Sequence, residues 1–166
     1  MEIATKTIRR DDARLVTFRP ATVDDEAFLL ELYGSTRLEE LALTDWGEAQ
    51  RDAFLRMQFN AQQVHYRTHY PEGEHLIILL NGKSIGRLYV ANIPEEIRII
   101  DITIIPASRN AGSGISIITE LMDEAKALEK PLRIYVESFN PSLRLFERLG
   151  FVKIDESGYS YLLEWR

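Results

Sequence analysis

The segment Arg109-Asn110-Ala111-Gly112-Ser113-Gly114 joins an isoleucine-rich run, Ile97 to Ile105, to a stretch whose apolar residues recur at Ile115, Ile118, Leu121, Met122, Ala125 and Leu128. β-Branched residues before the turn and helical spacing after it predict a strand, a tight turn and an amphipathic helix. Two glycines let the backbone approach an anion closely, and the helix start adds unpaired N–H groups and the positive end of its dipole. Arg109 would add a full charge. The turn is therefore a place where the chain can hold a phosphate.

The remaining elements follow from period and punctuation. Leu15 to Arg19 alternates like a strand and Pro20 ends it; Thr22-Val23-Asp24-Asp25 then predicts a capped helix with Phe28, Leu29, Leu32 and Tyr33 on one face. A second helix is predicted from near Asp45, with Glu48 completing a capping box and a buried stripe of Trp46, Ala49, Ala53, Phe54, Met57, Ala61 and Val64. Leu76–Leu80 and Ile85–Val90 flank Asn81-Gly82, which predicts a β-hairpin. The helix from about Gly112 to Glu129 crosses to Leu132–Glu137, so that connection should be parallel and right-handed. A short helix, Pro141 to Leu149, and a last strand pair, Phe151–Ile154 and Tyr159–Glu164, complete the chain. The expected fold class is α/β of the mixed α+β kind: a mostly antiparallel sheet with one parallel pair, flanked by helices. Residues 1–14 show no steady period and are expected to form a flexible lead, with residues 15–166 forming one domain.

A chain of 166 residues can bury one substantial core without metals or disulfides. It contains no cysteine, which excludes disulfides, thiolate zinc sites and a cysteine nucleophile. No apolar run is long enough to span a bilayer, so a soluble cytoplasmic protein is expected, with no membrane partner. The net charge of −6 disfavours a nucleic-acid partner and mildly favours cationic ones. His65 and His69 stand four apart with His75 beyond, but without an H-E-x-x-H pattern no metal is expected.

Downstream of the turn stands Asn140-Pro141-Ser142-Leu143-Arg144-Leu145-Phe146-Glu147-Arg148-Leu149-Gly150-Phe151. The R-x-x-G-x-G turn and this segment, in that order and spacing, resemble the GNAT superfamily of acyl-CoA-dependent N-acyltransferases over about residues 97 to 152. The resemblance implies a GNAT-like single domain in which the strands on either side of the turn-helix unit splay apart. The pantetheine arm of acetyl-CoA, the expected co-substrate, would lie in the gap. Ile102, Thr103 and Ile104 would offer backbone groups to it, and Arg109, Asn110, Ala111, Gly112, Ser113 and Gly114 would cradle the pyrophosphate. Asn140 would hydrogen-bond the cofactor or cap the short helix before Pro141. Phe146 stands where many relatives carry a tyrosine close to the sulfur, thought to protonate the leaving thiolate. Phenylalanine cannot do this; Tyr135, Tyr159 and Tyr161 are substitutes or simple packing residues.

The implied activity is an N-acetyltransferase passing an acetyl group to a primary amine by direct attack in a ternary complex, and the analogy admits a homodimer. The acceptor is expected to be a small molecule or peptide, with the acidic charge favouring a basic one. Trp46, Tyr66 and Tyr70 are candidates to shape its pocket, although Trp46 also reads as core. A base is needed to deprotonate the amine. Relatives often use a glutamate at the position matched here by Arg98, which leaves Asp101 and Glu137 as catalytic candidates. Asp101 also reads as an outward residue paired with Arg98 or Arg133. Two rivals stand beside this reading. A non-catalytic acyl-CoA-binding or oligomeric regulatory protein would account for the missing tyrosine. A nucleotide or S-adenosylmethionine site would use Gly112-Ser113-Gly114 and Glu137, but Ile117 replaces the third glycine and too little chain follows for a doubly wound sheet.

Overall fold

The structure, a computed structural model, describes residues 2–166. Its strands are β1 (Thr7–Arg9), β2 (Leu15–Pro20), β3 (Glu74–Leu80), β4 (Lys83–Ile93), β5 (Glu96–Ile104), β6 (Leu132–Glu137), β7 (Val152–Ser157) and β8 (Ser160–Trp165). They form one eight-stranded sheet in the order β1-β2-β3-β4-β5-β6-β8-β7. Neighbours are antiparallel except β5 with β6, which are parallel. The helices are α1 (Glu26–Ser35), α2 (Leu38–Ala42), α3 (Glu48–His69), α4 (Ser113–Ala127) and α5 (Leu143–Arg148). The mixed sheet flanked by helices is the architecture expected from the sequence.

Asn81 and Gly82 turn β3 into β4 with φ of 49° and 81°, the left-handed pair that suits the twist of a two-residue hairpin. The sheet separates two apolar clusters. On one face α4 packs Ile117, Ile118, Leu121 and Ala125 against a cluster that includes Ile97, Ile99, Leu132 and Ile134. On the other, Leu29, Leu32 and Tyr33 of α1 meet Phe59 of α3 over Ile77. Ile115 and Leu128, expected on the buried stripe of α4, are 45% and 39% exposed, because the helix turns Ile117 rather than its ends toward the sheet.

One irregularity shapes the centre of the molecule. Tyr89 pairs with Asp101 and Val90 pairs with Ile99, so Ile100 is an extra residue on β5. Such a bulge bends its strand and increases the local twist. The parallel pairing Ile97↔Leu132, Arg98↔Arg133 and Ile99↔Ile134 ends at that point, although β5 runs on to Ile104 and β6 to Glu137. Beyond the bulge the two strands part.

Three expectations are corrected. Residues before β2 are seated rather than loose: β1 pairs with β2, and Ile3 is 1% exposed within the main core; Met1 lies outside the described residues. The helix expected from Asp45 starts at Glu48, with Gly47 at its N-cap and no side-chain cap. Its predicted stripe faces outward, with Met57 62% and Val64 56% exposed. Trp46 is not core but stacks edge-on against Phe54 at 4.9 Å near the surface. The contact line is Leu55, Phe59, Gln62 and Tyr66, which has helical spacing but is half polar because it covers a buried ion pair. Hydrophobicity alone therefore selects the wrong arc.

Candidate active site

The turn before α4 has the backbone that anion binding requires. Asn110 and Gly112 have φ of 58° and 88°, and Gly112 is the N-cap of a helix whose first N–H groups have no side-chain cap. Ser113 is 1% exposed. Arg109, expected to lend charge, is folded back: its Nε donates to the Ile104 carbonyl at 2.8 Å and its Nη2 reaches Ser35 Oγ at 3.4 Å.

The gap between β5 and β6 exposes backbone groups selectively. Before the bulge, Ile97 N bonds Pro131 O at 2.9 Å, on the β6 side. After it, Ile105 N bonds Ile85 O at 2.8 Å, on the β4 side. An antiparallel ladder uses alternate residues, so Thr103 shares the β4 side with Ile105. Ile102 and Ile104 turn their backbone groups toward the gap, where the Ile104 carbonyl accepts from Arg109 Nε. The extra residue at Ile100 is what reverses the parity. Of the three residues expected to offer backbone groups, the geometry thus distinguishes Ile102 and Ile104 from Thr103.

Beside this gap, under α1 and α3, is a recess of about 50 Å³ lined by Tyr33, Thr36, Arg37, Gln62, Arg87 and Asp101, among others. Arg87, 3% exposed, donates from Nη2 to Asp101 Oδ2 and to Gln62 at 2.8 Å, and from Nη1 to Gln63 at 2.9 Å. Asp101 also accepts from Thr103 Oγ1 at 2.6 Å and from the Tyr66 hydroxyl at 3.4 Å. Burial, then the Asp101 charge, push the Tyr66 phenol well above its ordinary range, so it stays a donor. Asp101 is neither outward-facing nor paired with Arg98 or Arg133. Its oxygens already hold donors, and a proton taken from an amine would have to displace one of them.

Arg98, where the resemblance would place a glutamate, belongs to a different network. Its guanidinium holds Glu96 at 2.9 and 3.0 Å and donates to the Tyr70 hydroxyl at 3.2 Å. Arg133 bridges Glu164 at 2.6 Å and reaches Glu96 at 3.7 Å. Tyr70 is therefore part of this ladder, while Tyr66 lies by the recess and Trp46 lies on the outer surface.

At the end of β6, Glu137 is half-buried, and among the described residues its carboxylate has no hydrogen-bond or salt-bridge partner. Asn140 accepts from Ser142 N at 2.9 Å, an Asx turn that starts the short helix. Phe146 is 2% exposed and meets Phe151 edge-on at 5.2 Å. Tyr135 lies under the Arg98 guanidinium, 5.1 Å from ring centroid to carbon, Tyr161 lies under Lys153, and Tyr159 is 79% exposed.

One residue at the turn is absent from the sequence reading. Arg10 donates from Nη1 to Ser113 Oγ at 2.7 Å and from Nη2 to the Ala111 carbonyl. The signal that could have revealed it is the alternation Lys6, Ile8, Arg10, which places all three on one face of β1 and its continuation. Lys6 accordingly bonds Glu120 and Glu124 of α4 at 2.7 and 2.8 Å.

No helix among the described residues is long and apolar enough to cross a membrane. Among curated protein sequences no match is found. Solved structures similar to this chain include the PaiA N-acetyltransferase of Thermoplasma acidophilum in complex with coenzyme A, at 16% identity and a TM-score of 0.66, with 90% of this chain and 97% of that chain covered. A GNAT family acetyltransferase of Elizabethkingia anophelis with acetyl-CoA bound is 20% identical, with a TM-score of 0.56 and coverage of 93% and 98%. A domain from Methanocaldococcus jannaschii is 18% identical, with a TM-score of 0.63 and coverage of 90% and 97%. At these identities the likeness speaks for the fold. The acetyltransferase (GNAT) family profile matches residues 35–151, from the end of α1 to the residue before β7. The parted parallel strands and the left-handed turn between them thus lie within that match, and the chain belongs to the GNAT acetyltransferase family.

Proposed function

We propose that the protein transfers an acetyl group from acetyl-CoA to the primary amine of a small molecule or peptide, by direct attack within a ternary complex. The observation that carries this reading is the gap between β5 and β6, opened by the Ile100 bulge and ending at the glycine turn of α4. The residues present suit the group. Gly112 has φ of 88°, a conformation that side chains rarely adopt, so the cradle needs its glycine; the backbone of Ile102 and the Ile104 N–H are left for an extended amide-bearing chain, while the Ile104 carbonyl is held by Arg109. The PaiA and Elizabethkingia structures hold coenzyme A and acetyl-CoA respectively, which supports the same ligand here.

Acetyl-CoA supplies an acyl group activated as a thioester. In this proposal the backbone of Asn110 to Gly114 holds the pyrophosphate, and Ile102 and Ile104 align the pantetheine amides. A fixed N–H at the gap stabilises the charge that develops on the thioester oxygen. Glu137, lacking a partner among the described residues, takes a proton from the acceptor ammonium, and the free amine then attacks the thioester carbonyl. Asp101 orients Arg87 and, with it, the recess wall. Asn140 fixes the start of α5, and Phe146 packs beneath it without offering a proton, so the thiolate leaves without a dedicated acid. The recess does not express the acidic net charge: Arg87 is paired with Asp101 and Arg37 with Glu40 at 2.9 Å. Selection for a polycationic acceptor has no support there. Family analogy also suggests a cytoplasmic homodimer.

Calorimetric titration with acetyl-CoA, with NAD and S-adenosylmethionine in parallel, tests the first part, and release of free CoA against a panel of amines tests the second. Micromolar acetyl-CoA binding with amine-dependent CoA release is expected. Binding of another cofactor instead would overturn the reading. Acetyl-CoA binding without turnover on any amine would favour the non-catalytic rival, which the absence of a hydroxyl at Phe146 supports.

A further inference from the structure

We propose that Arg10 is the phosphate-binding cation of the acetyl-CoA site, delivered to the turn from the opposite end of the sequence. The inference rests on the cofactor reading above.

Lys6, Ile8 and Arg10 project from one side of the chain onto α4. Lys6 is fixed at Glu120 and Glu124, Ile8 joins the main cluster, and Arg10 arrives at Ala111 and Ser113. The dimensions agree. Four residues of extended chain span about 13 Å, comparable to the roughly 10–16 Å of helix between Ser113 and the two glutamates. The lead therefore runs antiparallel to α4 and stops where its side chain meets the helix start.

Two features separate this arginine from a simple strap. The first is substitution of charge: Arg109, the cation the turn itself contains, is committed to Ile104 O and Ser35, whereas Arg10 occupies the turn with a side chain only 9% exposed. The second is the choice of anchors. Arg10 binds a carbonyl and a hydroxyl, which are acceptors, so the N–H groups of the α4 first turn remain directed at an anion. Its counterion is shared: Asp12 bonds Arg10 at 3.0 Å and Arg14 at 2.5 Å and is 40% exposed. Two guanidinium groups against one carboxylate leave a net positive charge beside the turn. A planar fork held in that position can take a phosphate oxygen with little loss of side-chain freedom.

The experiment measures binding of coenzyme A and of S-acetylpantetheine, which lacks every phosphate, to the whole protein and to Arg10→Ala, Arg10→Gln, Arg10→Lys and Arg109→Ala. Calorimetry at low and high salt serves for coenzyme A, and chemical-shift titration serves for the weaker ligand. Arg10→Ala and Arg10→Gln should each weaken coenzyme A binding tenfold or more, roughly the loss of one charge-assisted bond, and flatten its salt dependence. S-acetylpantetheine affinity should not move. Arg10→Lys should keep the salt dependence while recovering only part of the affinity, and Arg109→Ala should leave the salt dependence in place. Thermal melts of the free variants identify any that lose the fold, in which case the Gln and Lys variants carry the comparison. Equal weakening of both ligands would overturn the proposal and make Arg10 a prop for the turn, and so would unchanged or tighter coenzyme A binding. Failure of the unaltered protein to bind coenzyme A would instead remove the cofactor reading itself.

Discussion

Gly86 of β4 lies so close to Thr103 of β5 that a Cβ at residue 86 would stand 2.2 Å from the Thr103 carbonyl oxygen and 3.0 Å from Ile104 Cα. Both contacts are with backbone, so nothing flexible can yield. The close approach fixes β5 against β4 just where it has parted from β6. Gly86→Ala should push the strands apart, costing about 1–3 kcal/mol of stability, the usual range for overpacking. It should also weaken acetyl-CoA binding by displacing Ile102 and Ile104. Denaturant unfolding and calorimetric titration of the same sample check both; an unchanged affinity would mean that this strand is not the ligand's track.

Asp101 balances a guanidinium with side-chain exposure of 4%, and its own is 14%. Removing one partner from such a pair leaves an uncompensated buried charge, which typically costs 3–5 kcal/mol. Asp101→Ala should therefore lower the unfolding free energy by roughly that amount, whereas Asp101→Ala combined with Arg87→Met should restore part of it. A double-mutant cycle by urea denaturation measures the coupling. Near-additive losses would show that the pair contributes little.

Glu137→Gln should leave acetyl-CoA affinity unchanged and reduce turnover by at least about a hundredfold, within the usual range for a general base. The pH–rate profile carries the decisive information, because the acidic limb set by this carboxylate should disappear. Retention of both rate and limb would take the role away from Glu137.

His75 stacks on Tyr89 at 4.8 Å and 14°, and among the described residues its buried Nε2 has no hydrogen-bond partner. Burial first, and the Arg87 charge next, push its pKa down from 6.5 to about 4. Between those values the unfolded chain takes up a proton that the folded protein refuses, so stability should fall as the pH drops through that window. The expected loss is of order 2 kcal/mol after allowing for partial exposure. Asp25 acts lower on the scale: chiefly the Arg19 hydrogen bond holds its carboxyl at about 2, against 3.8 ordinarily. Its contribution is present above the higher value and is lost as the pH falls toward 2. Unfolding of His75→Gln as a function of pH should lose the upper step and keep the lower one.

Much of the site was legible in the sequence because glycine, proline and periodicity mark it. Asn81-Gly82 gave the hairpin, and the turn at Gly112 and the crossover to Leu132 followed from local pattern. What stayed hidden depended on partners distant in sequence. Arg10 gains its place from α4, more than a hundred positions away, and apolar spacing points to the wrong face of α3 because the helix's contact with Arg87 is polar. Asp101 illustrates the same limit. Its residue type suits a base, but the three donors around it, Arg87, Thr103 and Tyr66, come from β4, β5 and α3.

The bulge at Ile100 makes the cleft a matter of counting. Before it, β5 faces its parallel neighbour with odd-numbered residues; after it, with even-numbered ones. Exchanging Ile102 or Ile104 for another apolar residue changes little that a ligand would touch, since only amide and carbonyl groups are offered. Deleting one residue would reverse the parity, turn those groups back into the sheet and invite β6 to close the opening. A cleft encoded in this way tolerates wide substitution and resists insertion or deletion, so distant chains can keep the same opening while sharing few of the side chains around it.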